Sequence, residues 1–414
     1  MPIATAYVVG TFDTKGAELH HVAGLLRERG LKVVSVDVGT RGLTPGVDVG
    51  AREVASHHPG GVDAVLGSHD RGRSVTAMSE ALCRFIAQRD DIRGMLALGG
   101  SGGTAVVTPA MRSLPIGVPK VMVSTMASGD TAPYVDVSDI TMVFPVTDIA
   151  GLNRISRMVL GNAAHALAGM LLHPVIQEHD EKPALALSMF GVTTPCVEQV
   201  RQRLRDDFDC QVFHANGSGG RALEALARAG LFAGVLDLTT TEAVDHLFGG
   251  VCTAGADRFE AAVHSGLPWV GSCGALDMVN FGAPDSVPER YRGRLLHHHN
   301  ATVTLMRTST DEMQQAGRWI AEKLNRSSGP VCWLIPHGGV SALDAPGQPF
   351  HDPVADAALF DAIEQAFKPS ADHRLLRLKH HINDAAFADV VAQETRRLIP
   401  LSAPPSTRTT RRQT

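Results

Sequence analysis

Aromatic residues are scarce in this chain, three Trp, three Tyr and fourteen Phe in 414 residues, while Gly, Ala and Val are plentiful. That balance suits tightly wound α/β units. Cysteine is also sparse. The six (83, 196, 210, 252, 273 and 332) are scattered and none form CxxC, which argues against a zinc knuckle and for a reducing compartment. The net charge of −5 offers no general attraction for nucleic acid or acidic membranes. No uninterrupted apolar run reaches bilayer-spanning length, and no basic stretch followed by an apolar one marks a secretory signal. A cytoplasmic protein is the expectation. At this length two domains are the default.

The stretch that organises the rest is Leu98-Gly-Gly-Ser-Gly-Gly-Thr104. It follows Gly94-Met-Leu-Ala-Leu98, which reads as a buried strand, and leads into a helix start at Thr104-Ala-Val-Val107. Consecutive glycines between a strand and a helix N-terminus let backbone N–H groups approach an anion, and the helix end adds partial positive charge. A tight turn without a ligand explains one such loop equally well; the recurrence of similar loops favours a binding cleft.

Residues 3–9 read as a strand, Leu19, Val22, Ala23 and Leu26 as the buried stripe of a helix, and residues 32–38 as the next strand, a βαβ unit. Asp63-Ala-Val-Leu66 is expected as a third strand and Lys120–Ser124 as a fifth after the one at 94–98. Their carboxyl ends carry Thr11, Asp13, Thr14 and Lys15; Asp37; Gly67-Ser-His-Asp70; the 99–104 loop; and Ser124–Gly129. Ligands bind beyond such ends in doubly wound sheets. Each polar residue has a plain alternative as a helix cap or a solvated side chain; the set points to a cleft. Residues 151–172 read as an amphipathic helix with Ile155, Met158, Val159, Ala163 and Leu167 near one face. The polar run 177–183 is taken as the domain boundary.

The second half follows a similar plan. Strands are expected at 184–190, 211–216, 233–238, 301–305 and 331–335, another strand end with small polar residues at 269–277, and a closing helix at 384–398. Gly217-Ser-Gly-Gly220 echoes the first glycine loop. GxxxxGK[ST] is absent, which argues against a P-loop NTPase. Gly217-Ser-Gly-Gly-Arg-Ala222 fits G-x-G-x-x-A, with Asp237 near the end of the next strand, the arrangement of a nicotinamide-dinucleotide site. Gly100–Ala105 fits the same pattern without the acid. His297, His298 and His299 read as a surface or interface cluster, because adjacent strand residues alternate faces; no metal site is expected. His337 and Asp344 are the candidate catalytic residues, with loop and cap roles as the alternative. Residues 401–414 are expected to be disordered.

Val9–Gly16, Leu98–Thr104, Ser188–Thr194, His214–Gly220 and Ile335–Ser341, in this order, resemble the uncharacterised family shared by many bacterial proteins and the N-terminal, ATP-binding half of the tomato mosaic virus resistance protein. The resemblance implies two Rossmann-like, doubly wound α/β domains with mainly parallel sheets (1–180 and 181–400), a homodimer, and ATP, alone or with Mg2+, in the first. Carried over by motif, Gly10, Thr11, Asp13, Thr14 and Lys15 would line the cleft. Gly100, Ser101, Gly102, Gly103 and Thr104 would hold phosphates, with Thr125, Met126 and Gly129 nearby. The leading expectation is an ATP-binding protein, either a nucleotide-dependent enzyme acting on a small metabolite or a binding module. The alternatives are an NAD(P)-dependent oxidoreductase using Gly217–Ala222 and Asp237, and a dimeric scaffold without catalysis.

Overall fold

Two sheets of parallel strands, each covered by helices on both faces, build the chain. The computed structural model describes residues 4–41, 45–68, 70–175 and 182–401. The tail from 402 on and most of the 177–183 boundary lie outside the described residues. The chain divides into two units, Met1–Glu178 and His179–Thr414.

Unit 1 holds β1 (Thr5–Gly10), β2 (Lys32–Asp37), β3 (Gly94–Gly99), β4 (Lys120–Ser124) and β5 (Ile140–Val143) in the order β2-β1-β3-β4-β5, all parallel. Both β1 and β3 are buried along their whole length. Their side chains alternate between two cores. Ala6, Val8, Leu96 and Leu98 face the helices Phe12–Glu28 and Arg154–Leu172, while Tyr7, Val9, Met95 and Ala97 face Arg71–Ile86 and Ser101–Ser113. The order reverses between β1 and β3, which is the switch point where such sheets open a crevice. Gly10 pairs with Leu98 and Gly99 with Ser124, so the loops after β1, β3 and β4 start at one level.

The expected strand 63–66 is instead the helix Gly61–Leu66, and the fifth strand is β5. Four apolar residues carry no decisive period. Gly61 in the left-handed region (φ +72°) starts a helix there. The helix Arg154–Leu172 also presents a different face: Leu160, Ala163, Ala164, Leu167 and Ala168 are buried, while Ile155 and Met158 are exposed. Its alanines let it sit close to the sheet beside Leu160 and Leu167, while Ile155 and Met158 turn outward. It is the one helix among the described residues long and apolar enough to cross a membrane, by length and composition; a third of it is buried in unit 1.

Unit 2 has β6 (Ala184–Met189), β7 (Asp209–His214), β8 (Gly234–Thr239), β9 (Trp269–Gly274), β10 (Met278–Phe281), β11 (Leu296–Asn300), β12 (Val303–Arg307), β13 (Val331–Pro336) and β14 (His373–Leu378). Six form a parallel sheet, β14-β13-β9-β8-β6-β7, and β10-β12-β11 form an antiparallel one. Read from β7, the large sheet repeats the wiring of unit 1 with one strand more. The three adjacent histidines lie on β11, and no group of three His, Cys, Asp or Glu among the described residues is arranged to hold a metal ion.

The centre of unit 2 is packed tightly at Gly271 of β9, where a Cβ would collide with the Trp333 indole of β13. Both tryptophans of this layer, Trp269 and Trp333, are fully buried. Gly271→Ala is expected to lower stability by about 1–3 kcal/mol through overpacking, measured by urea unfolding; an unchanged midpoint would contradict this packing.

Candidate functional site in unit 1

The cleft at the β1/β3 switch point has a volume of about 290 Å3 and is bordered by residues of three loops and three helices. From β1 come Thr11, Asp13, Thr14 and Lys15; from the β3 turn come Gly100, Ser101, Gly102 and Gly103; Arg41 and Arg71 complete the polar wall. Val38, Val75 and Val106 supply an apolar side.

Beneath the floor, Asp37 fixes the loops. It is fully buried and its Oδ1 accepts from Phe12 N (3.0 Å) and Gly39 N (2.8 Å), tying the end of β2 to the start of the first helix. Asp37 therefore shapes the cleft from below. The helix Phe12–Glu28 kinks at Lys15 (φ −129°, ψ 26°), and Thr11 Oγ1 lies 2.9 Å from Thr14 Oγ1. Asp13 packs against the Gly39 α-carbon, where any Cβ would lie 2.7 Å from its carboxylate carbon. Its Oδ1 is buried with no donor among the described residues.

The glycine turn divides into a structural part and an open part. A Cβ on Gly99 would lie 2.9 Å from Gly103 Cα and Thr104 N, so close backbone approach requires that glycine. Gly100, Gly102 and Gly103 differ. None has positive φ, and a Cβ would meet only ordinary contacts: Thr125 Oγ1 at 3.7 Å, Arg71 Nη2 at 3.5 Å and Leu98 O at 3.5 Å respectively. Glycine in a helix's first turn costs up to about 1 kcal/mol against alanine. The protein's own packing does not call for that cost at 102 and 103; a ligand brought close to the backbone would. The N–H groups of Ser101, Gly102 and Gly103 have no acceptor among the described residues, and the helix has no side-chain cap.

Five of the expected residues sit differently. Thr104 is fully buried: its hydroxyl donates to Gly100 O (2.8 Å) and meets Ser124 Oγ (2.6 Å), bracing the turn from behind. Lys15 Nζ donates to Ile149 O at 2.5 Å, so its charge borders the cleft while its head is held at one side. Thr125 stands beside Gly100, whereas Met126 and Gly129 do not border the cleft; Ser124 Oγ accepts from Met126 N, closing their short 3-10 turn. Gly10 lies under the loop, its α-carbon packed on Leu19. Sequence reasoning missed Arg41 and Arg71. Arg71, whose guanidinium reaches over Gly102, pairs with no carboxylate among the described residues. Its signal was the Asp70–Arg71 helix start: Asp70 caps the helix by accepting from Arg73 N (3.0 Å).

Unit 2 supplies the control. Its echoing turn has its amides already taken, because Glu242 Oε1 accepts from Gly217 N (2.7 Å) and Gly220 N (3.0 Å). Glu242 is held in turn by fully buried Arg258 (2.8 Å), which also pairs with both oxygens of Asp237 (2.6 and 2.7 Å) and with Glu224 (3.2 Å). Burial raises the Glu224 and Glu242 carboxyls, and Arg258 opposes that rise. Asp237 is thus committed to a buried ion pair, and the turn has no vacancy for a dinucleotide phosphate. His337 and Asp344 do not form a pair: His337 is exposed and tilts against Phe360, while Asp344 is buried and accepts from Val340 N (2.9 Å).

Fold and cleft together define a protein of two α/β units with mostly parallel sheets, the first with an open strand-end cleft. The chain belongs to the uncharacterised protein family UPF0261, whose N-terminal domain matches residues 4–175 and C-terminal domain residues 182–399. It is 58% identical over 386 residues to a UPF0261 protein of Mesorhizobium japonicum, covering 93% of this chain and 97% of that one. It is 40% identical over 421 residues to the ToMV resistance protein Tm-1 of Solanum lycopersicum, covering 96% of this chain and 56% of that protein. Among solved structures, MurG of Acinetobacter baumannii aligns over 97% of this chain and 91% of its own at 13% identity, with a TM-score of 0.23, too low to bear on this chain's function.

If a ligand, and not packing, accounts for the bare turn, Gly102→Ala and Gly103→Ala should keep stability or raise it by up to about 1 kcal/mol. Gly99→Ala should lower it. Urea unfolding of the three variants checks this, and a marked loss at 102 or 103 would assign those glycines to packing.

Proposed function

We propose that unit 1 binds a nucleotide polyphosphate, ATP in the first place, with its phosphates on the N-terminus of the helix Ser101–Ser113. The observation that carries this reading is the set of three unpartnered amides at Ser101, Gly102 and Gly103, laid bare by glycines that packing does not demand. A helix N-terminus favours anions through those donors and its partial charge. Around it stand Arg41, Arg71 and Lys15 against the single acid Asp13, so the cleft carries an excess of two positive charges.

In this reading Arg71 meets a phosphate at Gly102, and the Thr11 and Thr14 hydroxyls are further donors at the opposite wall. The unpartnered Asp13 oxygen suits a ligand hydroxyl or a hydrated Mg2+ accompanying the phosphates. At about 290 Å3 the cleft is at the small end for a ligand site. It suits the polyphosphate, with the remaining nucleotide reaching outward past the valines. The proposal is for binding; His337 and Asp344 belong to unit 2.

The test is a thermal-shift panel of ATP, NAD, sugar phosphates and divalent metals. ATP at about a hundredfold over its Kd should stabilise unit 1 by about 2.7 kcal/mol, a rise of about 5–10 °C in Tm. Gly102→Asp, which puts a carboxylate into the seat, should abolish the shift, and Arg71→Met should weaken binding at least tenfold. No shift with any nucleotide would overturn the proposal, and a shift with NAD alone would move it to a dinucleotide.

A further inference from the structure

Unit 2 covers its own strand ends. The loop 337–352, between β13 and the helix Pro353–Ala366, bonds to residues following three other strands: Ala342 N to Val192 O (3.0 Å) after β6, Ala275 N to Val340 O (2.9 Å) after β9, and Ile382 N to Gly339 O (3.0 Å) after β14. Phe350 is fully buried among Ala275, Met278 and Leu305, with Phe190, Val192 and Leu343 alongside. This is the edge where doubly wound sheets take ligands, and here chain occupies it.

The polar fastening of this loop is unbalanced. Ser341 Oγ donates to Asp277 Oδ2 (2.7 Å), and Asp344 Oδ2 accepts from Val340 N. Arg307, at the end of β12, donates from Nε to Phe350 O (2.7 Å) and from Nη2 to Asp356 Oδ1 (2.8 Å), with Asp344 Oδ1 3.6 Å from the same nitrogen. Three buried carboxylates thus face one guanidinium. The Oδ1 atoms of Asp277 and Asp344 are buried without a donor. A net charge of −2 with two carboxylate oxygens left without donors is costly to bury, and a proton held in the cluster relieves it. Asp344 is the site: it shares the Arg307 Nη2 with Asp356, and its carboxyl is pushed far up by burial and then by Asp277 and Asp356.

We propose that the loop 337–352 is a proton-held lid over the carboxyl edge of the unit 2 sheet: closed, it keeps a proton on the Asp344 carboxyl; open, it releases that proton to water. The charged and titratable groups facing it are Arg307 from β12, Asp277 after β9, and Asp352 and Asp356 at the start of the following helix. To these add His351 on the Asp344 carbonyl (3.0 Å), His381 on the Ser341 carbonyl (2.9 Å) and His297 against the Phe350 ring. In the open lid Asp344 regains ordinary acidity, while the closed value is about 9. The closed form binds the extra proton, so closure is favoured at low pH. The opening constant rises tenfold per pH unit between those limits and levels off above the upper one.

Hydrogen exchange on the full chain between about pH 5 and about pH 8 tests this, following peptides within 338–350 with residues 101–113 as the internal reference. After correction for intrinsic exchange, the wild-type lid should open about tenfold more per pH unit, and Asp344→Asn should stay shut with no slope. Should that variant not fold, Asp356→Asn relieves the crowding of carboxylates that holds the proton and should likewise flatten the slope. An equal slope in wild type and variant would overturn the lid, as would a slope lost only in His351→Gln.

Discussion

Burial along the full length of the central parallel strands governs both units. With β1, β3 and β8 closed to water from end to end, no polar side chain of use to a ligand has room beside them except the few held in buried pairs. Polar chemistry is therefore driven to the carboxyl ends, where helices begin and backbone donors lack partners. In unit 1 those donors converge on a crevice because the strand order reverses between β1 and β3. The same reversal occurs between β6 and β8, so the two halves begin from one geometrical plan.

What separates them is the fate of the exposed amides. Buried main-chain donors need acceptors, and unit 2 supplies its own: the Glu242 carboxylate sits where an external anion would, and a Cβ at Gly220 would collide with it. The self-filled turn illustrates what its counterpart lacks. Among the described residues, 101–103 have bare amides, a guanidinium overhead and no carboxylate bonded to them. A second closure follows at the other strand ends of unit 2, where the loop 337–352 lies across them.

Long apolar runs and alternation made β1, β2, β3 and β4 legible, and consecutive glycines disclosed the turn between β3 and its helix. Short pieces were not legible: residues 63–66 have strand-like composition, yet Gly61 and Gly67 frame them as one helical turn and a half. Partnership was also hidden. Nothing in the order of residues tells that Thr104 turns inward to Ser124, that Lys15 is held by a carbonyl 134 positions on, or that Arg71 comes over Gly102. Asp237 met the spacing of a ribose-binding acid, but its partner Arg258 lies in an irregular stretch without periodicity. Spacing along a chain locates strand ends; it does not reveal which charges have already been matched across space.

Arg258 has one more consequence. Its carboxylate partners come from the helix Ser218–Arg228, from β8 and from the helix Thr241–Phe248, all within 34 residues of it. Separating any one of these pieces strands a desolvated ion on the others, and breaking such a cluster singly costs more than dissolving it whole. Fraying piecemeal is thereby suppressed in this quarter of the molecule. A strand and its two flanking helices part company together or not at all, tied into a single cooperative block by one guanidinium.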